Sequence, residues 1–196
     1  MARSHCDACN RPTKTCLCDV IVTRRCAYEL IILQDPKEAR HALSSAPLLQ
    51  RSIQDSRLVV GEYFQPEALL GPDWRKQCLL IFPGENPLSA AQAQQRQFSQ
   101  ILLLDGSWRK VRRLLHLNPW LTELPCLAIS PSAPSQYRIR KSPRSDGLST
   151  IEAAVAALNA LDHSDNYSDI LAAFDQMIDY QIAAMGADTF RKNYPV

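Results

Sequence analysis

Apolar residues are gathered into short runs separated by longer amphipathic stretches. Tyr28–Leu33 (YELIIL), Cys78–Phe82 (CLLIF) and Ile101–Leu104 (ILLL) are nearly unbroken apolar runs, the pattern of strands buried on both faces. Arg57–Val60 and Cys126–Ile129 are shorter strand candidates. Helical stretches are expected at Glu38–Gln50 (interrupted near Pro47), Ser89–Phe98, Ser107 to about His116, Ser149–Leu161 and Ser168–Met185. In the last of these, Ile170, Phe174, Ile178 and Ile182 recur at i, i+4 and form a stripe that faces a core. Strands alternating with helices predict an α/β fold with a mostly parallel sheet and helices on both faces. There is no internal repeat and no low-complexity linker. A chain of 196 residues accommodates one full domain and a small appendage. The expected division is a module over residues 1–24 and a domain over residues 25–196.

In parallel α/β sheets, ligands bind beyond the carboxyl ends of the strands. Three segments directly follow apolar runs: Pro83-Gly84-Glu85, Asp105-Gly106-Ser107-Trp108 and Ser130-Pro131-Ser132. Their small and polar residues leave backbone groups free for a ligand. Helix capping is the structural alternative, because Asp105 or Ser107 can cap the helix that follows. Ser149 and Glu152 have the S-x-x-E form of a capping box, which by itself accounts for both. Trp108 reads as a core aromatic more readily than as a base-stacking platform.

Charge adds a partner class. The net charge is only +2, but its distribution is uneven. Between Ser107 and Arg144 there are eight basic residues and one acid, Glu123; between Ile151 and Thr189 there are seven acids and no Lys or Arg. Arg109, Arg112, Arg113 and His116 fall on one helical face, with Val111, Leu114 and Leu115 turned away from it. Lys110 lies beside that stripe. A second cluster contains Tyr137, Arg138, Arg140 and Lys141; an aromatic interleaved with cations is a frequent RNA-contact composition. In an extended segment Arg138 and Arg140 project to the same side. A solvated surface is the alternative for both clusters.

Four cysteines crowd the start of the chain: Cys6, Cys9, Cys16 and Cys18. Two close pairs can deliver four thiolates to one tetrahedral centre, the closed geometry of a structural zinc site. Unrelated reduced thiols or a disulfide are the alternatives. Cys26, Cys78 and Cys126 stand alone in or beside apolar runs and read as buried, inert thiols. The polar, cysteine-rich start does not have the form of a signal peptide. No apolar run approaches the roughly 20 residues that span a bilayer. A soluble, cytoplasmic protein is therefore expected, and reduced thiols with it.

Taken together, six motifs resemble the DTW-domain family, specifically the bacterial tRNA-uridine aminocarboxypropyltransferases. They are Cys6–Pro12 (CDACNRP) with Cys16-Leu17-Cys18, Ile32–Glu38 (ILQDPKE), Phe82–Glu85 (FPGE), Leu103–Lys110 (LLDGSWRK), Tyr137–Pro143 (YRIRKSP) and Leu148–Ala153 (LSTIEA). They occur in this order from residue 6 to residue 153. Two positions depart from the family pattern. Gly106 is interposed and Ser107 replaces threonine in the Asp-Thr-Trp signature, and Asp35 stands where histidine precedes Pro36.

The resemblance implies a SPOUT-related fold with a C-terminal knot around S-adenosylmethionine. It implies transfer of that donor's 3-amino-3-carboxypropyl group to N3 of a tRNA uridine, with release of 5′-methylthioadenosine. Selectivity for one of three sulfonium carbons is a matter of positioning. Asp105 is the expected catalytic residue. A carboxylate with an ordinary pKa of about 3.9 is a weak base for uridine N3, so orientation with late proton acceptance is the expected role. Pro83, Gly84, Asp105, Ser107, Trp108, Ser130, Pro131, Leu148, Ser149 and Thr150 are expected around the cofactor. Arg109, Lys110, Arg113, Tyr137, Arg138, Arg140 and Lys141 are expected at tRNA, and Cys6, Cys9, Cys16 and Cys18 at structural zinc. An RNA methyltransferase on the same scaffold and a non-enzymatic zinc-bearing RNA-binding module are the competing readings.

Overall fold

A computed structural model describes residues 4–9, 11–41, 43–129, 135–139 and 147–194. The expected strands form, with small shifts of boundary: β1 (Glu29–Gln34), β2 (Arg57–Val60), β3 (Cys78–Ile81), β4 (Gln100–Asp105) and β5 (Cys126–Leu127). They make one five-stranded sheet in the order β2-β1-β4-β3-β5. All four pairings are parallel, with Gln34 opposite Asp105 in the β1–β4 register. All the carboxyl ends therefore lie along one edge, and Asp105 ends the central strand.

Burial on both faces explains the unbroken apolar runs. Leu30, Ile32, Ile101 and Leu103 turn to one face and Ile31, Leu33 and Leu102 to the other, the period-two alternation of a strand. The first face is covered by α1 (Ala46–Ser52), α4 (Ala90–Gln95), α6 (Thr150–Asp162) and α7 (Leu171–Met185). Within it, Ile170, Phe174 and Ile178 are fully buried and Ile182 packs at the margin. The second face is covered by α2 (Pro66–Leu70), α3 (Trp74–Gln77) and the 3₁₀ turn Pro119–Glu123, where Trp74 and Trp120 meet edge to face at 5.4 Å. A terminal helix, α8 (Ala187–Asn193), follows α7.

Some boundaries differ from expectation. Pro47 does not interrupt a long helix; it sits in the first turn of α1, where its missing N–H costs nothing. Residues 37–40 form turns instead. The helix expected from Ser168 begins as a 3₁₀ turn at Ser168–Ile170 and becomes α-helical at Leu171. Cys78 and Cys126 are buried as expected, whereas Cys26 is half-buried. Among the described residues, no helix is long and apolar enough to cross a membrane.

Glu152 fastens the start of α6. It completes the capping box with Ser149 and also accepts hydrogen bonds from Ser135 Oγ and from Gln136 N at 2.7 Å. Its side chain is 7% exposed. Glu152→Ala is expected to destabilise the fold by about 2–4 kcal/mol, because several donors lose a buried acceptor at once. Urea denaturation reads this as a lower midpoint at unchanged slope.

Candidate active site and metal centre

The central strand ends in a buried carboxylate. Asp105 is 4% exposed. Its Oδ1 accepts from Thr150 Oγ1 at 2.5 Å and its Oδ2 from Gln34 Nε2 at 2.7 Å. Ser44 Oγ lies 3.5 Å from Oδ2 and is itself 2.8 Å from Gln34 Nε2. The backbone carbonyl of Asp105 accepts from Asp35 N. Three segments distant in sequence thus converge on one residue: the end of β1, the turn before α1, and the first turn of α6.

The other strand-end segments lie along the same edge of the sheet. Phe82, just past β3, approaches Trp108 at the start of α5 (Trp108–Leu117), with ring centroids 6.2 Å apart. Pro83 and Gly84 follow Phe82 beyond the end of β3, the strand beside β4. A Cβ on Gly84 would lie 2.8 Å from Cys126 Sγ, so this turn packs closely against β5 and excludes larger residues. Leu148 and Thr150 flank Ser149 at the α6 start and are half-buried. Ser149 itself is buried, with its hydroxyl engaged by Glu152; that hydroxyl serves the cap. Ser107 stands at the N-cap position of α5, yet its side chain makes no capping hydrogen bond. Ser130 and Pro131 lie outside the described residues.

The basic residues are partly committed. Lys110 pairs with Glu38 at 2.6 Å, Arg113 with Glu62 through both guanidinium nitrogens, and Arg138 with Asp179 at 2.5 Å. Arg109 and Arg112 are exposed and make no ion pair among the described residues. Tyr137 is turned into the core, against expectation: its ring meets Phe174 at 5.2 Å and its hydroxyl donates to Leu43 O at 2.9 Å. Its ring therefore offers no stacking surface to solvent. Arg140 and Lys141 lie outside the described residues. Sequence reasoning missed Gln34 and Ser44 as partners of Asp105. Gln34 lies inside the ILQDPKE motif; nothing in the sequence marks Ser44.

Cys6, Cys9, Cys16 and Cys18 form the four-sulfur cluster that their spacing predicts. Their sulfurs all lie within 4.8 Å of one another. The Cys6–Cys18 and Cys9–Cys16 separations are each 3.7 Å. A tetrahedral site with metal–sulfur bonds of about 2.3 Å has edges of about 3.8 Å, so the residues fit a tetrahedral metal ion. Backbone N–H groups of Cys9 and Ala8 hold the Cys6 thiol below its ordinary value. Burial would raise Cys9, but the N–H groups of Leu17 and Arg11 and the neighbouring thiols outweigh it and bring it to about 6. The thiols of Cys16 and Cys6 push Cys18 up to about 12. The cluster is docked on the fold: Leu17 is fully buried in the main core, and Arg11 donates to Met177 Sδ at 2.8 Å.

A DTW-domain model matches residues 3–182. The chain belongs to the DTW-domain family. The tRNA-uridine aminocarboxypropyltransferase 2 of Macaca fascicularis is 28% identical over 186 residues, which cover 86% of this chain and 60% of that protein. The protein of the same name from Mus musculus is 29% identical over 184 residues, again 86% of this chain and 60% of the relative. The tRNA-uridine aminocarboxypropyltransferase A of Arabidopsis thaliana is 45% identical over 56 residues, 26% of this chain and 20% of that protein. The chain thus spans 60% of the length of the two mammalian relatives. No solved structure matches it.

In this DTW-domain protein the signature Asp105-Gly106-Ser107-Trp108 is the hinge between β4 and α5, and the cysteine cluster lies apart from it in sequence. Cys9→Ser is expected to lower both bound metal, read by elemental mass spectrometry, and the melting temperature. In metal-free protein at pH 7, iodoacetamide is expected to label Cys9 before Cys18, because the thiolate is the reactive form. Bound metal is expected to protect all four.

Proposed function

We propose that the protein is a tRNA-uridine aminocarboxypropyltransferase that uses S-adenosylmethionine. Membership of the DTW-domain family, with relatives of that name matched along 86% of the chain, carries the reading. The strand-end site supports it with a carboxylate held in one orientation at the carboxyl edge of a parallel sheet. The reaction is transfer of the 3-amino-3-carboxypropyl group to N3 of a tRNA uridine, with 5′-methylthioadenosine released. The protein is placed in the cytoplasm, where its tRNA substrate and reduced thiols occur.

When bound, the donor supplies an electrophilic γ-carbon next to a sulfonium. The chain's own residues supply position. Pro83 and Gly84, Ser107 and Trp108, and Leu148 and Thr150 border the site with apolar edges and backbone groups; Ser130 and Pro131 complete the proposed set. Ser149 contributes through its place in the cap. Asp105 is the catalytic residue. Thr150 and Gln34 fix its carboxylate, which orients the N3–H edge of uridine and receives its proton as the new bond forms. N3 lies on the pairing edge of the base, so the target uridine must be unpaired or extruded.

A SPOUT-like C-terminal knot is part of the proposal. Its support is the return of the chain from edge strand β5 to α6, whose first residue touches Asp105 on the central strand. The residues around 1–24 act as a zinc module with a structural role, since cysteine fills all four positions and leaves none open for chemistry. The proposed tRNA contacts are Arg109, Lys110, Arg113, Arg138, Arg140 and Lys141.

Mass spectrometry of the products tests the function. With S-adenosylmethionine and unmodified tRNA, the expected products are methylthioadenosine and a heavier uridine. S-adenosylhomocysteine would mean methyl transfer instead, and neither product would sink the enzyme reading. Asp105→Ala is expected to lower transfer by at least about 100-fold while tRNA binding stays near wild type. Unchanged turnover would remove Asp105 from the mechanism.

A further inference from the structure

Only two large apolar side chains among the described residues are exposed, Val60 at 50% and Tyr63 at 71%. Both lie at the carboxyl end of β2, the edge strand beside β1. A single exposed aromatic in a loose loop needs no explanation. Tyr63 is different, because the loop around it is fixed on both sides. Gly61 N donates to Gln34 O at 3.1 Å. Asn118, itself 2% exposed, donates from Nδ2 to Glu62 O at 2.7 Å and accepts from Phe64 N at 2.8 Å. Trp120 Nε1 donates to Phe64 O at 3.0 Å. A Cβ on Gly61 would lie 2.9 Å from the Phe64 ring, so the turn is tight. Residues 61, 62 and 64 are all anchored while the ring of Tyr63 stands in solvent.

The charged groups nearby are Arg113 and Lys37 together with Glu62 and Asp35, and α5 adds two further cations. Glu62 binds Arg113 of α5 through both guanidinium nitrogens. Tyr63 lies within electrostatic range of Arg113, and Lys37 within range of Glu62. Arg109 and Arg112 stand exposed on the same helix. The mount is also close to the site. Gln34, whose carbonyl holds Gly61, is the residue whose side chain holds Asp105. A fixed, exposed ring among cations fits a nucleobase flanked by phosphates, since every base has a π face and every phosphate a charge.

We propose that Tyr63 is a stacking platform for an unpaired base of the RNA substrate, with Lys37, Arg109 and Arg112 taking the phosphates beside it. The proposal rests on the tRNA reading above. Its test is binding of the full chain to unmodified tRNA and to a single-stranded RNA oligonucleotide across a salt series, with product assays in parallel. Tyr63→Ala is expected to weaken RNA binding by about 5- to 100-fold at unchanged salt slope, whereas Tyr63→Phe stays near wild type. Arg112→Ala is expected to reduce the slope by about one phosphate contact. The melting temperature of Tyr63→Ala should match wild type, because the ring is not packed in the core.

Wild-type RNA affinity in Tyr63→Ala overturns the platform, even if aminocarboxypropyl transfer proceeds. Weakened binding in Tyr63→Ala supports the platform even if wild-type protein transfers nothing, in which case the enzyme reading fails alone. A concentration-dependent dimer in wild type that Tyr63→Ala abolishes, with RNA affinity intact, would make this surface a self-association patch and overturn the proposal.

Discussion

The hydrogen bonds on Asp105 are the constraint on which the arrangement depends. A buried carboxylate is costly unless donors surround it, and here the donors come from chain segments more than forty residues away on either side: Gln34 and Ser44 before it, Thr150 after it. Bonds to a charged acceptor are shorter and about twice as strong as neutral ones. The same contacts therefore do two things. They fix where α6 returns to the sheet, and they fix the direction in which the Asp105 carboxylate points. Positioning residues and fold-determining residues coincide, so substitutions at Thr150 or Gln34 act on both.

The N-terminal segment depends on a second device. It is too short to build a core of its own, and among its described residues Leu17 is the only fully buried apolar side chain. Four cysteines placed to hold one metal ion can supply the missing cohesion. Arg11 then places a cation between the cluster and α7, where burial lowers its pKa and the neighbouring Cys9 and Tyr137 oppose that shift. The cysteine cluster is thus connected to the helix that also buries Tyr137 through Phe174.

Much of this was legible in the sequence, for identifiable reasons. Strands buried on both faces announce themselves as apolar runs, so the sheet and its carboxyl-edge loops followed from Ile101–Leu104 and its equivalents. The cysteine spacing announced the cluster. The short helices α2 and α3 have too few turns to show a period, although Pro66 at the first turn and Gly71 after the last are ordinary boundary signals. The partners of Asp105 were hidden because parallel register brings Gln34 opposite it with no trace in local pattern. Tyr137 and Ile139 are buried and Arg138 is exposed, but Arg138 and Ile139 lie in a turn and not in the extended segment expected, so local pattern did not show that Tyr137 faces the core.

Ion pairing changes the meaning of the basic stretch. Lys110, Arg113 and Arg138 each face a carboxylate, so much of the local charge is already balanced. The exposed Arg113 and Arg138 pairs contribute little to stability, whereas the Lys110–Glu38 pair is mostly buried. Their effect is geometric: Glu62 sets the Arg113 guanidinium, and Glu38 sets the Lys110 amine, at defined positions on α5. A surface built this way has a weak long-range field, consistent with a net charge of only +2. Counterion release on this surface falls to cations outside these pairs, such as Arg109 and Arg112. Stacking on the fixed Tyr63 ring would add a contact insensitive to salt beside the site.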